Sequence, residues 1–135
     1  MALTWDNNLK LGVQEIDDQH QEIFKHFAEL SSACQLGQGE RVLADVFMFL
    51  DDYVAHHFSS EEALMEQHHY PKLPEQREQH AIFRQEIESL RNRSKNGEKG
   101  HELALAVDRQ LVRWLIQHIR SFDREMAEYI VTRPA

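Results

Sequence analysis

The sequence predicts an all-α protein, an up-down-up-down antiparallel four-helix bundle with an N-terminal arm and a short C-terminal helix. Three observations carry this. Five Gly and three Pro occur in 135 residues, and most fall in three clumps: Gly37 with Gly39, Pro71 with Pro74, and Gly97 with Gly100. The stretches between the clumps hold no helix breaker and are long enough for helices of several turns. Each stretch also repeats its apolar residues at helical spacing, as a helix with one buried face must.

Taken in order, the first helix is expected over 18–36, with Ile23, Phe24, Phe27, Leu30 and Cys34 as its stripe. The second, 40–67, carries Leu43, Val46, Phe47, Leu50, Val54 and Phe58. The third, 74–93, carries Phe83, Ile87 and Leu90, and the fourth, 100–120, carries Leu103, Val107, Leu111, Trp114 and Leu115. A tail at about 122–131 follows, beginning at Phe122. Short loops between amphipathic helices make sequential neighbours antiparallel. The whole chain, 1–135, reads as one domain.

Composition narrows the function. The net charge is −8, with scattered basic residues, which argues against nucleic acid or an anionic membrane as partner. The longest apolar runs, Val46 to Leu50 and Leu103 to Val107, are too short to span a bilayer. The N-terminus lacks a basic stretch followed by an apolar run, so no signal peptide is expected. A single cysteine, Cys34, forms no internal disulfide and suits a reducing, cytoplasmic setting, where it simply packs.

Nine histidines are many for such a chain, and helical phase separates them. His20 continues the first stripe towards its N-terminal end. His57 and Glu61 stand one turn apart on the second, beside Val54 and Phe58. Gln76 and His80 share the inner face of the third, and His118 follows Trp114 by one turn on the fourth, with Asp123 five residues later, just where the stripe passes Phe122. His26, His56, His68, His69 and His101 lie outside these positions.

A lone histidine on an apolar face is ordinarily a hydrogen-bonded core residue. With alternating helix directions, however, His20, His57, Glu61, Gln76, His80, His118 and Asp123 all fall at one end of the bundle. Four imidazoles, two carboxylates and one amide, with no thiolate, exceed the needs of one ion and suit two first-row metals sharing carboxylates. Two divalent ions would also offset the cost of burying Glu61 and Asp123.

The order of motifs resembles the hemerythrin family in its free-standing single-domain form. Trp5, Asp17-Asp18-Gln19-His20, His57-Phe58-Ser59-Ser60-Glu61-Glu62 with Met65, Tyr70-Pro71, His80 with Phe83, and Trp114 to Ile119 followed by Asp123 carry the resemblance. It implies reversible dioxygen binding at a non-haem di-iron centre. His20 and His57 would hold one iron and His80 and His118 the other, with Glu61, Asp123 and an oxo or hydroxo group bridging. Phe58, Trp114, Leu115, Ile119 and Ile23 would form an apolar wall around the bound gas. A separate protein acceptor of oxygen or electrons would leave no mark in this chain.

One position departs from the family pattern. Its third helix usually supplies two histidines one turn apart, and here the first is Gln76. The amide can offer its carbonyl oxygen as a weaker ligand or swing away and leave a position open. The open form would favour a redox enzyme that reduces O₂, peroxide or nitric oxide.

Three other readings are weaker. A ferritin-like centre needs Glu-x-x-His within two helices, but Glu66-x-x-His69 runs into Pro71 and Glu98-x-x-His101 spans a glycine loop. A zinc module lacks H-E-x-x-H and a cysteine cluster. A purely structural bundle, or an interaction module that senses redox state or gas, needs a partner surface or a fused output domain, and one bundle uses all 135 residues.

Overall fold

A computed structural model describes residues 5–98 and 100–132; the first four residues of the arm lie outside these. A 3₁₀ turn, Asn7–Leu9, precedes α1 (Gln14–Gln35), α2 (Gly39–Gln67), α3 (Leu73–Lys95) and α4 (Gly100–His118). A π-helical turn, Ile119–Asp123, runs directly into α5 (Arg124–Thr132). No strand occurs among the described residues. Among the four long helices, α2 and α4 each pack on all three others, and α1 and α3 each pack on α2 and α4. This is the expected bundle.

Two boundaries differ from the sequence reading, each for a physical reason. The first helix starts at Gln14 rather than 18, because the buried Asp17 carboxylate accepts the backbone N–H groups of Leu11 (2.8 Å) and Gly12 (3.2 Å). That clasp turns the arm just before the helix, and Ile16 extends the buried stripe. At the other end, the expected short C-terminal helix is α5, with no loop before it. It continues α4 through the π turn without a break.

The connections follow from local chemistry. Gly37 and Gly97 adopt φ of +70° and +88°, a left-handed conformation open to residues without a Cβ, and so end α1 and α3 sharply. Pro74 sits in the first turn of α3, where its missing N–H costs no hydrogen bond.

The core has two apolar parts. The larger runs through Phe27, Leu50, Phe58, Phe83, Leu111, Leu115 and Ile119; the smaller contains Met65, Tyr70, Met126 and Ile130. Between them, along the chain, lie Glu61 on α2, Gln76 and His80 on α3, and Asp123 in the π turn. A polar layer is therefore closed on two sides by hydrocarbon.

Close approach of α1, α2 and α4 depends on Gly39, where an added Cβ would meet the Ala104 Cβ and Cys34 Sγ at 2.8 Å. Gly39→Ala is expected to cost about 1–3 kcal/mol through overpacking. Urea unfolding should show a lower midpoint with an unchanged slope.

Candidate metal centre

All seven residues singled out by helical phase meet in the polar layer, and none is more than 3% exposed. α1 supplies His20, α2 supplies His57 and Glu61, α3 supplies Gln76 and His80, α4 supplies His118, and the π turn supplies Asp123. The remaining histidines stay outside. His56, His69 and His101 are exposed, and His26 and His68 are half-buried.

The π turn explains the five-residue spacing. In a regular α-helix five residues rotate through roughly 500°, which would leave Asp123 about 140° from the face of His118. Closing the turn over i to i+5 brings the carboxylate back beneath the imidazole. Asp123 Oδ1 lies 3.1 Å from His118 Nε2.

Each carboxylate spans two imidazoles from different helices. Glu61 Oε1 lies 2.6 Å from His57 Nε2 and 3.9 Å from His80 Nε2. Asp123 Oδ2 lies 3.2 Å from His20 Nε2 while its Oδ1 faces His118. Gln76 Nε2 donates to the same Asp123 Oδ1 at 3.2 Å, and its own Oε1 finds no donor. One ligand atom each from His20, His57 and Glu61 lie within 4.8 Å of one another.

The outer nitrogens fix which atoms face inward. His57 Nδ1 donates to Gln19 Oε1 at 2.5 Å, and His80 Nδ1 donates to Glu62 Oε2 at 2.7 Å. In the neutral rings these bonds place the proton on Nδ1 and a lone pair on Nε2. Those lone pairs look towards carboxylate oxygens that have no hydrogen-bond donor of their own: both Glu61 oxygens and Asp123 Oδ2 are orphaned, as are the Nε2 atoms of His20, His80 and His118. Acceptor facing acceptor in a buried layer calls for a cation or a proton between them.

The acid–base balance points the same way. Burial lowers His57 and His80 to about 4, partly opposed at His80 by the hydrogen bond that its Nδ1 donates to Glu62, so both rings are neutral at pH 7. Burial and the nearby Asp123 charge raise the Glu61 carboxyl well above its usual range. Burial would raise Asp123 too, but the neighbouring His118 and His20 rings outweigh it and hold that group low. The two carboxylates of one layer thus behave oppositely, as a close pair sharing few protons must.

Comparison with known proteins bears on this layer. The family model described as "Hemerythrin HHE cation binding domain" matches residues 11–130. The chain belongs to the hemerythrin family. It is 36% identical over 122 residues to a bacteriohemerythrin of Pseudomonas aeruginosa, covering 90% of this chain and 76% of that protein. A bacteriohemerythrin of Stenotrophomonas maltophilia is 30% identical over 128 residues, 95% of this chain and 81% of the relative. A myohemerythrin of Sipunculus nudus is 29% identical over 123 residues, 88% and 86% respectively. The donor set fits the metal site of such a fold.

Of the expected apolar wall of this hemerythrin fold, Phe58, Leu115, Ile119 and Ile23 are buried and Trp114 is half-buried, all within the larger apolar cluster. Phe58 stacks on the His80 ring with centroids 3.8 Å apart, and Trp114 stacks on His118 at 4.6 Å. Sequence reasoning gave no role to Gln19, Glu62 or Tyr53, whose hydroxyl donates to the Gln19 backbone carbonyl. Gln19 and Glu62 sit one residue off the inner stripe and reach a histidine on another helix. Tyr53 carries the one available signal, since it precedes His57 by one turn.

The neutral histidines give a pH prediction for the metal-free protein. An unfolded histidine titrates near 6.5. The unfolded chain therefore binds these protons first, and the stability carried by each neutral ring is present above pH 6.5 and lost as pH falls towards 4. The loss is on the order of 3 kcal/mol per ring. In urea unfolding at pH 7 and pH 4, the protein should lose that much more stability than its His57→Gln variant.

Proposed function

We propose that this chain binds dioxygen reversibly at two iron ions held in the polar layer. The observation that carries the reading is the pairing of imidazoles across shared carboxylates: Glu61 between His57 and His80, and Asp123 between His20 and His118. His20 and His57 would hold one iron, and Gln76, His80 and His118 the other, with an oxo or hydroxo group as a further bridge. An iron pair, when bound, would supply the two electrons that hold dioxygen and would take them back on its release.

The chain's own residues do the rest. Gln19 and Glu62 fix the ring orientation of His57 and His80, so that lone pairs and not N–H groups face the metals. Phe58, Trp114, Leu115, Ile119 and Ile23 keep the layer apolar at its rim, which admits a small neutral gas and slows charged species. Among the described residues, no helix is long and apolar enough to cross a membrane. With the single cysteine, this accords with a cytoplasmic, one-domain oxygen carrier, store or sensor.

Gln76 supports a second reading. Its Nε2 is engaged by Asp123 and its Oε1 is unpartnered, so it can serve as a neutral oxygen ligand or leave a coordination position to a substrate. The latter favours a redox enzyme acting on O₂, peroxide or nitric oxide.

Iron analysis and optical spectra through an anaerobic, aerated and re-deoxygenated cycle decide between them. Two irons per chain and a charge-transfer band that returns with each cycle are expected. Bleaching with release of peroxide or superoxide would favour turnover, and failure to take up iron would overturn both. If the amide is what exposes the metal, Gln76→His should slow autoxidation by about tenfold or more.

A further inference from the structure

We infer that Glu62 and Gln19 are positioning residues that make the two halves of the centre electronically unequal, with an anion behind His80 and a neutral amide behind His57. The inference rests on the metal-binding reading above and adds to it a division of labour among residues that touch no metal.

The two contacts are alike in geometry and different in charge. His80 Nδ1 meets Glu62 Oε2 at 2.7 Å, and His57 Nδ1 meets Gln19 Oε1 at 2.5 Å. Both acceptors set the same tautomer, and both leave Nε2 directed at Glu61. Glu62 is itself held from outside, since its other oxygen accepts from Arg77 Nε at 3.4 Å. The Phe58 ring, parallel to His80 within 4°, keeps the imidazole from tilting away from this partner. On the other side, the Tyr53 hydroxyl holds the Gln19 backbone.

A carboxylate behind an imidazole makes the inner nitrogen a stronger donor than an amide carbonyl does, and favours the more oxidised metal. The half of the layer that receives this push is the one in which Gln76 stands beside His118, both against Asp123 Oδ1. There an amide replaces a more basic imidazole. Glu62 therefore returns donor strength to the metal position that Gln76 weakens, while the half with two histidines from α1 and α2 carries no such charge.

Three variants separate the contributions. Glu62→Gln keeps an acceptor and removes the charge, Glu62→Ala removes both, and Gln19→Glu adds a charge behind His57. Nitrogen NMR of the metal-free protein should show His80 protonated on Nδ1 in the parent and in Glu62→Gln, with that preference lost in Glu62→Ala. Chelator competition with Zn²⁺ as a redox-silent probe should show affinity reduced about 10- to 100-fold in Glu62→Ala. In the iron-loaded protein, the midpoint potential should rise in Glu62→Gln and fall in Gln19→Glu. A parent-like tautomer and Zn²⁺ affinity in Glu62→Ala would overturn the inference, and so would potentials unmoved by both charge changes. Failure to load iron defeats the oxygen-binding reading alone, because the tautomer and Zn²⁺ results still judge Glu62.

Discussion

Burial of charge without a donor is the constraint around which this bundle is organised. Two carboxylates and four imidazoles are withdrawn from water between two apolar clusters, and around Glu61 the inner atoms are acceptors facing acceptors. Isolated ions in such a setting would cost several kcal/mol each. Cations at Glu61 and Asp123 would reverse that cost, and the protein's remaining polar bonds keep the His57 and His80 acceptors pointing inward. Stability and ligand binding are then one quantity, since a metal that binds the folded layer stabilises the fold that presents it.

The arrangement separates two tasks by distance from the centre. Inner atoms of His57 and His80 offer lone pairs, and one step outward Gln19 and Glu62 decide which nitrogen of each of these two rings is free to do so, with the Tyr53 hydroxyl holding the Gln19 backbone. Stacked rings hold the planes of three imidazoles: Phe58 against His80, Tyr53 against His57, and Trp114 against His118. Such preorganisation lets a site accept an ion or a gas with little rearrangement.

The fold and the inner layer were legible because both obey the helical period. Breakers marked the loops, stripes marked the faces, and His20, His57, Glu61, Gln76, His80 and His118 stood in phase with those stripes. The outer partners were not legible, because Gln19 and Glu62 lie off the stripe and act across a helix interface that no local spacing encodes. The start of α1 was hidden for a similar reason: it depends on Asp17 reaching back to N–H groups in the arm. Asp123 was found by its proximity to Phe122, but its orientation needed a π turn that periodicity alone does not announce.

That turn also says something about chain length. On α2 a histidine and a carboxylate share a face four residues apart; on α4 and its continuation they share a face five apart. Beyond the turn, Met126 and Ile130 are again buried, so the helix recovers its register after taking up one residue more than an α-turn holds. Arg120 and Ser121, at the crest of the turn, face solvent. The wall of this bundle therefore has a seam where one residue can be gained or shed without displacing the ligands or the core beneath, and the interval between two ligands in a sequence is a poorer guide to their geometry than the closure of the turn between them.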